Sequence, residues 1–501
     1  MRAKDPTTEE RRAILRRSLD DPAWWVREVL GHELWPGQVR ILESVRDNRE
    51  TTVKSCHGAG KSFNAAATAL WWLYSHPHST VITTAPTDRQ VKGILWKEIR
   101  LGHQRARRPL GGELLKQELK IADDWWAWGF TAPDYDPDRF QGFHSIYTLV
   151  IVDEASGVSD DIYDAIDGVL TADESRLLMI GNPTNPSGRF AKAFKTPGIA
   201  KVSISAFDTP NFTTFGITES DIIAGTWQEK ITGPLPRPYL VTPRWVADRY
   251  QRWGPGSAMY VAKVKAQFPA AGTDTLIPLH WIEAAVARTL PPSAPSELGV
   301  DVARYGSDET VVMHRAGPVV RTVLVMPMSD TMEVAGRVIQ LRRELGARVA
   351  KVDAVGLGAG VFDRIAELDR EAKRYDAVEE MQSGARAEDP ERFANTRAEW
   401  YWGLRKRFEE GDIDLEDDEV LVQQLADLKY KVNSRGQTII ESKEDMKRRG
   451  LSSPDRADTL MLTFAKGVDH DAVAIPGSAI PSGNSFPSFM GRTSSGIPRI
   501  F

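Results

Sequence analysis

A short β-branched stretch, Thr51 to Lys54, leads into Ser55-Cys56-His57-Gly58-Ala59-Gly60-Lys61-Ser62 and then into an alanine-rich run ending near Leu73. Strand, glycine-containing loop and helix in that order restrict the chain to α/β folds in which a helix N-terminus faces an anion. Small residues let backbone N–H groups wrap a β-phosphate; Lys61 can reach the β/γ oxygens, and the Ser62 hydroxyl can hold Mg²⁺. Gly58 and Gly60 supply the small positions, whereas Ser55 stands where the pattern has its first glycine. Gly-Lys-Ser also occurs in ordinary loops, so the reading needs a partner motif.

That partner is Leu149-Val150-Ile151-Val152-Asp153-Glu154, a continuous apolar run that ends in two acids. Such a run suits a strand covered on both faces. Asp153 is expected to coordinate Mg²⁺, and Glu154 to orient and activate the attacking water. A single acid at a strand end is usually a solvated turn; loop, acids and strand order agreeing make ATP the expected ligand. Three further positions fit less specifically. Gln38 lies just upstream of the loop, where it can read adenine. Asn182, in Gly181-Asn182-Pro183-Thr184, ends the next strand and can sense the γ-phosphate. Arg139 is a candidate arginine finger, a role open to any surface arginine.

At 501 residues the chain is expected to hold two or three domains. Strands Thr80 to Thr84 and Arg176 to Ile180 alternate with helical stretches, which implies a mostly parallel sheet. From about 184 to 282 the periodicity weakens and Gly-Pro pairs interrupt it, as in a subdomain or linker. Pro291-Pro292-Ser293-Ala294-Pro295-Ser296 is the clearest boundary. The expected division is residues 1–290, with the linker from about 185, then 297–468, then a Ser/Pro/Gly-rich tail over 469–501.

Beyond the boundary a β-meander begins, followed by helix, a strand from Val349 to Val352, and mostly helix to Lys466. Asp301 sits on the first strand, Asp353 at the end of the later one, and Asp455 and Asp458 open a C-terminal helix at i and i+3, sharing a face. Each acid alone reads as a turn former or a helix-dipole partner. Together they match two-metal phosphodiester cleavage, which needs several carboxylates around ions about 3.5–4 Å apart. Their order resembles the acidic site of the RNase H fold. The basic run Lys443, Lys447, Arg448 and Arg449 is expected to lie where backbone phosphates pass; a second cluster, Arg105, Arg107 and Arg108, reads as a solvated helix face.

Composition narrows the partners. The net charge of −5 argues against a whole-surface nucleic-acid binder and leaves room for a local basic groove. A single cysteine, Cys56, excludes an intramolecular disulfide, and with nine histidines mostly far apart a structural zinc site is not expected. No run of apolar residues reaches membrane-spanning length, and the charged N-terminal segment lacks the apolar region of a secretory signal.

The motifs SCHGAGKS, LVIVDEAS, GNPTNPSGRF, LGVDVARYGSDET, VDAVGLGAG and SPDRADTLMLTFA, in this order from residue 35 to about 465, resemble those of the large terminase subunit of tailed double-stranded DNA bacteriophages. The resemblance implies an α/β chain: an N-terminal P-loop (RecA/ASCE-like) ATPase domain with a mostly parallel sheet, and a C-terminal RNase H-like nuclease domain. It implies ATP-driven movement of DNA into a procapsid, with metal-dependent cutting of the concatemer. Lys61, Ser62, Asp153 and Glu154 match the ATPase positions and Asn182 the coupling motif. Asp301, Asp353 and Asp455 match the metal ligands, with Asp458 a helper and Mg²⁺ or Mn²⁺ the ion. The middle acid is aspartate where some relatives have glutamate. Double-stranded DNA, the portal protein, a small terminase subunit and a homo-oligomeric ring are the implied partners, and the host cytoplasm and portal vertex the implied location. Two other readings compete. A helicase or translocase of a restriction or repair system would need a second RecA-like lobe, for which only about 100 residues remain. A DNA-gripping ATPase with a decayed nuclease would have lost an acid, and all four are present.

Overall fold

The computed structural model describes residues 8–131, 145–269, 274–303, 308–327, 330–372 and 377–466. The first sheet contains β1 (Glu50–Ser55), β2 (Thr80–Thr84), β3 (Glu113–Leu114), β4 (Glu118–Ala122), β5 (Trp125–Gly129), β6 (Thr148–Asp153), β7 (Arg176–Gly181) and β8 (Ala200–Ile204), in the order β3-β4-β5-β2-β6-β7-β1-β8. Every ladder from β5 to β8 is parallel; β3 and β4 add an antiparallel edge. β2 and β6 are buried along their whole length, which explains their unbroken apolar and β-branched sequences. Helix Lys61–Ser75 lies against this sheet. Ala65, Ala66, Ala67 and Ala69 admit it closely, and Leu70, Trp71, Trp72 and Leu73 fill the space around it.

The sheet extends further than the sequence pattern indicates. β8 and helix Arg189–Ala193 continue the first unit past residue 184, and β3 to β5 widen its other edge. β8 is a short edge strand with two exposed positions, and β5 reads Trp-Trp-Ala-Trp-Gly, without the aliphatic β-branched signal. Short helices between Pro210–Thr213 and Ala258–Lys263 then form a cap beside the phosphate loop.

The second sheet contains β9 (Ser296–Asp301), β10 (Glu309–Ala316), β11 (Val319–Pro327), β12 (Val349–Asp353), β13 (Val378–Met381) and β14 (Asp414–Leu415), ordered β13-β12-β9-β10-β11-β14. β9, β10 and β11 form an antiparallel meander; β12 and β13 add parallel to β9. Leu298, Val300, Val312, Ala350 and Val352 face helices Thr331–Glu344 and Leu357–Glu371. Val311 and Met313 face the opposite layer, which holds helices Thr396–Glu410 and Asp455–Phe464. Where the sequence reads as mostly helix after Val352, β13, β14 and the ribbon of β15 (Tyr430–Val432) and β16 (Thr438–Ile440) appear. These strands are two to four residues long, and β13 carries two glutamates, so no alternation betrays them.

Helix Leu279–Ala287 joins the halves. Leu279, Ile282 and Ala285 are buried, and around the helix Leu276 N–H bonds Leu428 O at 3.0 Å while Arg288 Nη1 donates to Ile413 O at 3.0 Å. Among the described residues no helix is long and apolar enough to cross a membrane.

Candidate active sites

Parallel pairing aligns the carboxyl ends of β1, β7 and β6: Lys54 lies opposite Gly181, and Asp153 opposite Ile180. The phosphate loop, Asn182 and the two acids therefore emerge side by side, where open α/β sheets bind ligands. Gly58 and Gly60 have φ of +68° and +82°, a region that residues with a Cβ rarely enter. Three backbone bonds hold the loop: Cys56 N–H to Ile204 O at 2.8 Å, His57 N–H to Lys263 O at 2.7 Å, and Val241 N–H to Gly58 O at 2.9 Å. Gly60 caps helix Lys61–Ser75, so the helix N-terminus points into the loop.

The side chains interlock. Lys61 Nζ donates to Asn182 Oδ1 at 3.0 Å and lies 3.9 Å from Glu154 Oε1. Asn182 Nδ2 donates to Ser55 O at 2.7 Å, and Ser156 Oγ to Asn182 O at 2.6 Å. Ser62 Oγ, with Asp153 the pair that would hold Mg²⁺, donates to Asp153 Oδ2 at 3.0 Å. Burial, with Glu154 adding to it, pushes the Asp153 carboxyl up to about 6 against the pull of Lys61 and Ser62. Glu154 is left-handed at φ +49°, a conformation costly for a residue with a side chain and found where function demands it. Gly181 makes room for this turn, since a Cβ there would stand 2.9 Å from Ala155 N. Gln38 is buried, its Oε1 accepts Trp35 N–H, and its Nε2 lies beside Gly60. Arg139 lies outside the described residues.

The second site is built on the other sheet. Asp301 ends β9 and Asp353 ends β12, its parallel neighbour, with Val352 paired to Val300. Helix Asp455–Phe464 crosses β9 at Gly299, where a Cβ would meet Thr459 O and Thr463 Cγ2 at 2.7 Å. This bare backbone brings Asp455 and Asp458 to the strand ends. All four carboxylates interact: burial raises the Asp301 carboxyl well above the usual range, Lys443 opposes this, and Asp458, Asp455 and Asp353 add to it.

Lys443 occupies the middle, with Nζ 3.0 Å from Asp458 Oδ2, 3.5 Å from Asp455 Oδ1 and 3.8 Å from Asp301 Oδ2. Asp458 also accepts from Tyr401 OH at 2.6 Å and Arg397 Nη2 at 3.1 Å. Burial would raise its carboxyl, but Arg397, Lys443 and Tyr401 hold it down at about 2. Asp455 accepts Glu309 N–H at 3.0 Å. The donors are all carboxylate oxygens, the set that Mg²⁺ and Mn²⁺ prefer. Among the described residues no three acid, histidine or cysteine side chains stand at ion-holding distances.

A search of curated proteins finds the "Probable terminase, large subunit" of Enterobacteria phage P7, 26% identical over 454 residues that cover 84% of this chain and 86% of the relative. The chain is thus similar to a phage large terminase subunit over most of both lengths. No family model matches it. Solved structures with some likeness include the nuclease domain of the large terminase subunit gp2 of bacterial virus Sf6 (22% identity, 38% of this chain and 99% of that chain, TM-score 0.35). Another is the large terminase of a thermophilic bacteriophage in complex with ADP (10% identity, 86% and 98%, TM-score 0.41). These TM-scores are low, so the functional reading rests on the terminase relative and on the geometry.

The sequence motifs of both sites thus come together in space, with one displacement. Of the basic run expected along passing phosphates, Lys443 turns inward to the acids and Arg449 pairs with Glu441, while Lys447 and Arg448 stand exposed at the surface. Arg397 and Tyr401 escaped sequence reasoning, because an Arg and a Tyr four apart on an ordinary helix carry no signal of the carboxylate they meet.

Proposed function

We propose that this chain is the motor and nuclease subunit of a double-stranded DNA phage packaging machine. It hydrolyses ATP to move DNA into a procapsid and cuts the concatemeric genome with metal-dependent chemistry. The observation that carries this reading is the presence, on one chain, of the Lys61–Asn182–Glu154 cluster and of four converging aspartates, two on a separate sheet and two on the helix that crosses it. The curated terminase relative, similar over most of both chains, supports it.

In the first site, Lys61 and the loop N–H groups bind the phosphates, Asn182 positions the lysine against Ser55, and Glu154 takes the proton of the attacking water. In the second, Asp301, Asp353 and Asp455 are the proposed metal ligands. Asp458 is held by Arg397 and Tyr401 to orient the site, and Lys443 balances its charge. A divalent ion bound there would activate water and stabilise the leaving oxygen. The finer assignments belong to the same proposal: residues 1–290 and 297–468 as the two working domains, Gln38 as an adenine contact, and a ring with portal protein and small subunit at the portal vertex.

Plasmid cleavage with Mg²⁺ or Mn²⁺ by wild type, Asp301→Ala and Lys61→Ala tests the reading. Loss of cutting in Asp301→Ala alone is expected. Equal cutting by all three would place the nuclease elsewhere.

A further inference from the structure

Above the carboxyl ends of β2, β6 and β7 lies a cleft of about 480 Å³, lined by Glu154, Asn182 and Thr184 on one side and by Lys263, Glu283 and Arg288 on the other. Lys263 ends helix Ala258–Lys263. Its carbonyl accepts the His57 N–H within the phosphate loop at 2.7 Å, so the lysine backbone is tied directly to the loop. Its ammonium is 3.0 Å from Glu283 Oε1, with the side chain 20% exposed. Burial works against this charge; Glu283, then Glu154 and Asp417, outweigh it and keep the lysine protonated. A terminal phosphate reached by Lys61 and faced by Glu154 would thus meet Lys263 on its open side.

We propose that Lys263 is a second phosphate-binding cation of the ATPase site, parked on Glu283 and transferred to the terminal phosphate of ATP. The inference rests on the ATPase reading above and deepens it. A terminal phosphate offers more negative charge and more acceptor oxygens than one carboxylate, so it displaces Glu283. ADP lacks that group and leaves the Lys263–Glu283 pair intact. As charge builds on the terminal oxygens during hydrolysis, an ammonium already seated on the terminal phosphate stabilises it without further reorganisation.

The test is equilibrium binding of ADP and of a non-hydrolysable ATP analogue, each with Mg²⁺, to the full chain and to Lys263→Ala, Lys263→Arg and Glu283→Gln. Lys263→Ala should weaken the analogue roughly tenfold or more, as loss of a charge-assisted bond implies, and leave ADP affinity unchanged. Lys263→Arg should recover part of the loss, and Glu283→Gln should tighten the analogue alone. In hydrolysis, kcat of Lys263→Ala should fall by about a hundredfold. Unchanged analogue binding, or equal losses for both nucleotides, would overturn the proposal. Wild type binding neither nucleotide would instead overturn the ATPase reading.

Discussion

Gly299→Ala perturbs the nuclease without touching an acid. Gly299 lies on β9 two residues before Asp301, beneath helix Asp455–Phe464. A methyl there would stand 2.7 Å from Thr459 O and Thr463 Cγ2, and 3.1 Å from Thr463 N. Ordinary contact begins at 3.4 Å, so the helix must lift by about 0.7 Å. Overpacking of this kind costs about 1–3 kcal/mol. The larger effect falls on chemistry, because catalytic groups must be held to within about 0.5 Å and a displacement of about 1 Å costs on the order of a hundredfold. Plasmid cutting should therefore fall by about a hundredfold while ATP hydrolysis, on the other sheet, stays at the wild-type rate. Gly336→Ala, where the added methyl meets nothing within 4 Å, is the control. Wild-type cutting by Gly299→Ala would refute the claim that close strand–helix contact sets the acid geometry.

Lys61→Ala and Glu154→Gln should each lower ATP hydrolysis by about a hundredfold or more and leave metal-dependent cutting largely intact; substantial hydrolysis in either removes the phosphate-loop assignment. Glu297, which accepts from Arg315 and Lys351 at 2.7 Å and from Arg348 at 2.8 Å, ties β9 to β12, while Lys351 also holds Ala465 O beyond the catalytic helix. Its replacement by alanine leaves buried cations unpaired and should cost about 3–5 kcal/mol in denaturant unfolding. Asp427 is pushed up to about 6 by burial, so the folded protein holds its proton more tightly than the unfolded chain, which titrates near 3.8. Its charge therefore opposes folding above about pH 6, and the penalty fades as pH falls toward 4. Asp427→Asn should accordingly gain on wild type at pH 8 by roughly 3 kcal/mol and by much less at pH 4; the reverse order would show that Arg449, and not burial, governs this carboxyl.

What could be read from the sequence alone was what depends on neighbours along the chain. A loop of small residues between strand and helix, apolar strands running into acids, and a stiff proline segment each express a local requirement of backbone conformation or burial. They were enough to bring out Lys61, Ser62, Asp153, Glu154 and Asn182 and the four aspartates, because parallel strands deliver their ends to one edge. The short strands β8, β13 and β14 were not legible, since edge strands are stabilised by the sheet they join rather than by their own pattern. Nor was the company the acids keep. Lys443 among the carboxylates, Arg397 and Tyr401 on Asp458, and Lys263 against the phosphate loop are contacts between distant segments. Only tertiary packing decides them, because burial turns a charged side chain from a solvated surface group into one that must find its partner.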